Sequence, residues 1–224
     1  IRAPYQRPEV LVTDPAGAVA RLPLRPVSGA RGESAFAARF ACQARGRHQV
    51  EVLGHDRGGP TVLANFPVGC GVAPLEAPTA GSGRVADAPF RDAAEAEAQL
   101  YALLDDDRVR AGLPKLLRDP ELARVARGHC RDMAEHDFLA HVSPRTGDAR
   151  DRVRRAGLVV PLVLENLARA YSPREAEDGL MQSPGHRANI LHRGPTHIGI
   201  GVELVTQALE QGAAVGDVGR EWLP

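Results

Sequence analysis

Up to about residue 71 the side chains alternate. In Phe36, Ala38, Phe40 and Cys42 every second position is apolar, and the same holds for Val62, Ala64, Phe66, Val68 and Cys70, with Val50 and Val52 between them. A period of two sets one face of each strand on a core. Ser28-Gly29-Ala30-Arg31-Gly32 and Asp56-Arg57-Gly58-Gly59-Pro60 are turn-rich breaks. Short strands at this spacing predict a small all-β, sandwich-like domain over residues 1–71. Residues 72–88 are rich in proline, alanine and glycine without an apolar period, which is linker composition.

From Pro89 the period becomes helical. Ala96, Leu100, Leu103 and Leu104 form one stripe, and Leu122, Val125, Ala126, His129 and Met133 form a second, with Asp119 as N-cap and Pro120 at the first helical position. A short polar helix is expected from Asp148 to Arg155, closed by Gly157. Leu162, Val163 and Leu164 read as a strand. Ser172-Pro173-Arg174-Glu175 has the form of a capping box opening a helix to about Gln182, and Ser183-Pro184-Gly185-His186 starts another helical turn. Ile198-Gly199-Ile200-Gly201-Val202 is a strand whose glycines suit close packing of a helix on the sheet. The whole is α+β, with a layered second domain over 89–224.

Composition narrows the function classes. The chain has 224 residues, enough for one large domain or two ordinary ones, and 43% of them are hydrophobic. Its 28 basic and 28 acidic side chains cancel, which removes the cationic surplus that nucleic-acid binding depends on. No apolar run approaches the ~20 residues of a transmembrane helix. The chain opens at Ile1 without a basic-then-apolar leader, as a mature or trimmed fragment would. Compartment must therefore be argued from Cys42, Cys70 and Cys130. Cys42 and Cys70 fall on the inward faces of their strands in the register above, within reach of a disulfide, and Cys130 sits on a helix as the odd thiol. The alternative is two buried reduced thiols acting as small hydrophobes. The disulfide reading places the chain outside the cytoplasm, secreted or in a periplasm or cell envelope.

Three polar pieces stand at element boundaries: Ala140-His141-Val142-Ser143-Pro144, Leu164-Glu165-Asn166-Leu167-Ala168 and Ser183-Pro184-Gly185-His186-Arg187-Ala188-Asn189-Ile190-Leu191. Each alone is weak. Together with Leu104-Asp105-Asp106-Asp107-Arg108, Gly112-Leu113-Pro114-Lys115-Leu116, Ala126-Arg127-Gly128-His129-Cys130-Arg131-Asp132-Met133 and Ile198-Gly199-Ile200-Gly201, in this order, they carry a specific resemblance. About residues 97–204 resemble a CAP (SCP-like) domain, of the superfamily of cysteine-rich secretory proteins, antigen 5 and pathogenesis-related proteins, and most closely its shorter bacterial branch. The N-terminal region lies outside the resemblance.

The resemblance implies an α-β-α sandwich with a cleft holding two histidines and two acids. Carried over by motif, these are His141, His186 and Glu165, while the place of the second acid holds Gln182 or Ser183, as the bacterial Ser-Pro-Gly-His form commonly does. Asn166, next to Glu165, is expected to hydrogen-bond backbone in the cleft wall, and Ser183 is counted with the cleft residues. Two imidazoles and one carboxylate are a reasonable ligand set for Zn2+ or another divalent cation with an open fourth position. The alternative is that His141, Glu165 and His186 hydrogen-bond one another and pin the cleft. Hydrolysis at such a site also needs a base near the bound water, and no His-Glu-x-x-His helix supplies one. Glu175 and Glu177 read as a cap and a solvated helix residue, and Ser143 as turn chemistry. His129 reads as a core histidine, and Arg150, Arg152, Arg154 and Arg155 as a solvated helix face.

The function expected is therefore an extracytoplasmic, non-enzymatic module whose cleft takes a lipid, sterol-like, peptide or cell-wall ligand, positioned by the β domain. The alternative is a metal-dependent peptidase or esterase using the same cleft; a structural envelope protein is a third. The family's return strand is expected to begin near Arg220, short or cut, which would leave a sheet edge open.

Overall fold

The computed structural model describes residues 6–28, 34–72, 89–205 and 217–223. Its contacts divide the chain into two compact units, Ile1–Arg84 with Gln182–Pro184, and Val85–Met181 with Gly185–Pro224. The linker expected from sequence lies, from residue 73 to 88, outside the described residues.

The N-terminal unit is all-β. Strands β1 (Gln6–Thr13), β2 (Val19–Leu22), β5 (Gly46–Asp56) and β6 (Gly59–Cys70) make an antiparallel sheet in the order β2-β1-β5-β6, and β3 (Arg25–Ser28) pairs with β4 (Ser34–Ala37) as a separate ribbon. Val10, Val12 and Val50 are buried, with Leu22, Leu24, Phe40, Val52 and Val68 packed against them. Strand β5 turns into β6 through a tight hairpin in which the Asp56 carboxylate accepts from the Gly58 amide at 2.7 Å and Gly59 takes a φ of 104°.

Alternation located β6 but misjudged its ends. Phe66 pairs with Val50, which places it on the core side, yet it is 43% exposed because β6 lies at the end of the sheet order. Phe36 is similarly open, and only Ser34–Ala37 of the expected Phe36–Cys42 strand pairs. Cys42 therefore reaches Cys70 from an irregular segment and not from a facing strand. The two form a disulfide, with Cα atoms 5.5 Å apart and Cys70 buried at the end of β6, while Cys130 is a buried free thiol.

In the C-terminal unit, helix α1 (Ala93–Arg110) and helix α2 (Pro120–Glu135) both lie on β9 (His197–Glu203), and the alternation of β9 shows how. Its even-numbered residues Ile198, Ile200 and Val202 are buried with Ala96, Leu100 and Leu104 of α1, Ala176 and Leu180 of α4 (Pro173–Gln182) and Ile190 of α5 (Pro184–Ile190). Its odd-numbered residues Gly199 and Gly201 face α2 so closely that a Cβ on either would collide with main-chain atoms of Leu122, Ala123, Ala126 or Arg127. Side chains of one strand pointing to opposite layers make an α-β-α sandwich. The expected role of the two glycines is met.

Capping follows the sequence closely. The Asp119 carboxylate accepts from the Glu121 and Leu122 amides, with Pro120 leading α2. Helix α3 (Ala149–Arg155) carries a complete box between Asp148 and Asp151, and Gly157 closes it at φ 83°. At α4 the Ser172 hydroxyl accepts from the Glu175 amide, whereas the Glu175 carboxylate accepts from the amide of Tyr171, one residue before the expected partner.

Two strands differ from expectation. Strand β8 covers Leu164–Arg169 and not 162–164, because its extent is set by pairing with β10 (Asp217–Leu223), which continues through polar Glu165, Asn166 and Arg169. Strand β10 is longer than its expected start at Arg220 and leaves no open edge there. It lies between β9 and β8 and pairs with both, in a sheet of order β7-β9-β10-β8, where β7 is Leu117–Arg118.

Candidate functional site

The site grows out of the end of α2. Asp137 adopts a left-handed φ of 50°, and the Phe138 amide donates back to the Met133 carbonyl at 3.1 Å while Phe138 packs against the cluster holding Met133. This is the helix-ending motif in which a residue beyond the cap folds onto the last turn. It sends the chain back along α2, where buried His129 meets the Ala140 carbonyl at 3.0 Å through Nε2. The next residue is His141.

Beyond it the chain is pinned again. Ser143 and Gly147 exchange main-chain hydrogen bonds at 2.9 Å, and the buried Ser143 hydroxyl donates to the Asp132 carboxylate at 2.6 Å while accepting from the Arg145 and Thr146 amides. A serine whose oxygen is committed in this way is turn chemistry, as expected, and not a nucleophile. Arg152 closes the loop from α3, donating to the carbonyls of Gly147 at 2.7 Å and His141 at 3.2 Å.

Strand β8 supplies the remaining groups by alternation. Leu167 packs with Cys130, Met133 and Phe138 on the α2 side, so Glu165, two residues before it, faces that layer as well. Its carboxylate accepts from His141 Nδ1 at 2.5 Å through one oxygen and from Arg152 through the other. Both members of the ion pair are buried, the Arg152 side chain 5% and the Glu165 side chain 6% exposed, while His141 keeps 23% exposure. Asn166 looks the other way. Its amide donates to the His186 carbonyl at 3.1 Å, and its oxygen accepts from Asn189, whose amide also donates to the Glu165 carbonyl. Asn166 thus bonds backbone, as expected, and ties β8 to α5.

Of the residues singled out from sequence, His141 and Glu165 come together directly, His186 joins through its main chain, and Ser183 is buried between α4 and α5 in the sequence. Among the described residues no three histidine, cysteine, aspartate or glutamate side chains are grouped to hold a metal ion. Two expectations need correction. Arg152 is not part of a solvated basic face, since it lies on the same inward side of α3 as buried Ala149 and Val153. Glu177 is buried, not solvated, because it follows Ala176 on the inward side of α4. The signal for Arg152 was available: positions 149, 152 and 153 are one helical stripe.

Residues 101–210 match the CAP family, described as the cysteine-rich secretory protein family. They form a CAP domain. The sequence is 37% identical over 108 residues to a Bacillus subtilis (strain 168) protein named "Uncharacterized membrane protein YlbC", covering 48% of this chain and 31% of that one. It is 34% identical over 106 residues to "Uncharacterized protein YkwD" of the same organism, covering 47% of this chain and 41% of that one. The chain thus matches less than half the length of either relative. Among solved structures, an extracellular protein containing a SCP domain from Bacillus anthracis str. Ames is similar, with a TM-score of 0.53 at 19% identity over 89% of this chain and 66% of that one. An outer surface protein from Borrelia burgdorferi also gives a TM-score of 0.53, at 18% identity over 59% of this chain and 95% of that one. At these identities the likeness shows the fold of the CAP domain. No helix among the described residues is long and apolar enough to cross a membrane.

Proposed function

We propose that the chain is an extracytoplasmic, non-enzymatic module whose CAP cleft binds a lipid, sterol-like, peptide or cell-wall ligand, with the N-terminal unit positioning or tethering it. The carrying observation is the buried Arg152–Glu165–His141 group. A carboxylate serving as base or metal ligand needs an oxygen free to take a proton or a cation. Here one Glu165 oxygen accepts from the Arg152 guanidinium, and the other accepts from His141. A divalent ion at those oxygens would meet the fixed positive charge of Arg152. With Glu165 shared between Arg152 and His141, and no three histidine, cysteine, aspartate or glutamate side chains grouped among the described residues, the group does not make a ready zinc site, and no hydrolytic step is derived from it.

What the group supplies instead is a fixed wall. Glu165 orients the His141 ring, and Arg152 holds the loop behind it. Leu139 and Val142, on either side of His141 in the sequence, are 41% and 36% exposed, so the loop that carries His141 also offers apolar surface to an amphipathic ligand. The extracytoplasmic placement draws on the Cys42–Cys70 disulfide and on the extracellular and outer-surface descriptions of the two similar structures.

Thermal unfolding with a long-chain fatty acid, a sterol, a short peptide and a muropeptide tests the proposal. One class is expected to raise Tm by roughly 5 °C at a hundredfold excess over Kd, with the rise lost in His141→Ala. No rise with any of them, or chelator-sensitive turnover of a peptide or ester, would contradict it.

A further inference from the structure

Helix α3 and the segment after it carry a surface that the cleft does not use. With Arg152 turned inward to Glu165, three arginines of the helix remain exposed: Arg150, Arg154 and Arg155. The acids that dilute this cluster in the sequence sit at the first turn of the helix, beside Arg150 and away from Arg154 and Arg155, and leave a surplus of one positive charge. The Asp148 carboxylate accepts from the Asp151 amide at 2.8 Å, and the Asp151 carboxylate accepts from the Asp148 amide at 3.3 Å, so both cap the N-terminus of α3. The arginines at 154 and 155 occupy the opposite end.

Immediately beyond, the Leu158 amide donates to the Val153 carbonyl at 3.2 Å and the chain leaves the helix through Gly157. Leu158, Val160 and Val163 pack onto buried Leu122, Val125 and Val153. Alternation then turns Val159 and Pro161 outward. Both are exposed, Val159 at 95%, the most open large hydrophobic side chain among the described residues. Arg150 donates to the Pro161 carbonyl at 3.4 Å and Arg155 to the Thr146 carbonyl at 2.6 Å, which link the basic helix to the segments beside it.

We propose that α3 and residues 157–161 dock on an anionic lipid bilayer, the arginines on the headgroup phosphates and Val159 and Pro161 in the boundary between headgroups and acyl chains. Charge complementarity argues for an anionic partner: the whole chain is neutral, so the attraction is local to this cluster. Size argues for a bilayer. Two apolar side chains are far short of the ~800 Å² per partner that a stable protein interface buries, whereas a fluid lipid surface needs no matching shape.

Sedimentation of the full chain with phosphatidylglycerol-containing or pure phosphatidylcholine vesicles tests this. Binding is expected on the anionic vesicles only, and weaker as salt rises. At about 1 kcal/mol per basic residue near the surface, Arg154→Gln/Arg155→Gln should lower partition roughly 25-fold. Val159→Ser should lower it roughly tenfold for the lost apolar contact. All three positions are exposed, and far-UV circular dichroism of each variant confirms that it folds. Failure of the wild-type chain to bind, equal binding to both vesicle types, or unchanged partition of the folded variants would overturn the proposal. Binding to soluble polyglutamate but not to vesicles would also overturn it, in favour of an acidic protein segment.

Discussion

At the scale of single residues, a buried ion pair fixes the loop that carries His141. Arg152 and Glu165 are each about one-twentieth exposed at the side chain, and Arg152 also holds the carbonyls of His141 and Gly147. Removing one partner of such a pair leaves an uncompensated buried charge, which costs about 3–5 kcal/mol. Arg152→Leu and Glu165→Leu should therefore each lower unfolding free energy by about that much in urea. The double variant should cost much less than their sum, because it removes both charges. Additive losses would show that the pair is not coupled. His141 and Glu165 were legible in the sequence because they sit in short motifs. Arg152 was not, because arginines at 150, 154 and 155 make it look like one of a solvated set. Only the phase of α3, with Ala149 and Val153 beside it, separates it from them.

At the scale of elements, the contact of α2 with β9 organises the CAP domain. Gly199 and Gly201 let the helix backbone approach the strand, and a methyl group at either meets main-chain atoms that no side-chain rotation can move. Gly199→Ala and Gly201→Ala should each destabilise by about 2 kcal/mol or more in denaturant titration. Gly128, on the exposed side of the same helix, where a Cβ would meet nothing outside its own stretch of helix within 4 Å, should do the reverse. Gly128→Ala is expected to stabilise by about 1 kcal/mol, from helix propensity alone. Equal effects at all three positions would refute the layer arrangement. Helices and their caps were readable here since a cap and a stripe are local. The extents of β8 and β10 were not, since a strand that carries Glu165 and Asn166 is defined by the partner it pairs with, far along the chain (Trp222 opposite Leu164).

At the scale of the molecule, two units share one chain, and they are held by different means. The CAP domain has several apolar clusters, whereas the N-terminal unit packs around three buried valines and is closed by Cys42–Cys70 across 28 residues of sequence. A cross-link over a loop of that length contributes about 3.6 kcal/mol. Thiol counting after denaturation should find one free thiol before reduction, from Cys130, and three after it, and reduction should lower the stability of the N-terminal unit. Three free thiols before reduction would remove the disulfide and with it the compartment argument. The pairing was foreseen from strand alternation, yet Cys42 reaches its partner from an irregular segment, so the route to it differed.

Under the proposed function the Arg152–Glu165–His141 group walls a ligand site and is not a metal centre. Calorimetric titration of the folded chain with zinc, beside a His141→Ala/His186→Ala variant, tests it most directly. No saturable binding tighter than millimolar is expected in either protein, because the Glu165 carboxylate is shared between Arg152 and His141 and no three ligand side chains are grouped among the described residues. One equivalent bound at micromolar affinity by the wild-type chain, and lost in the double variant, would contradict it.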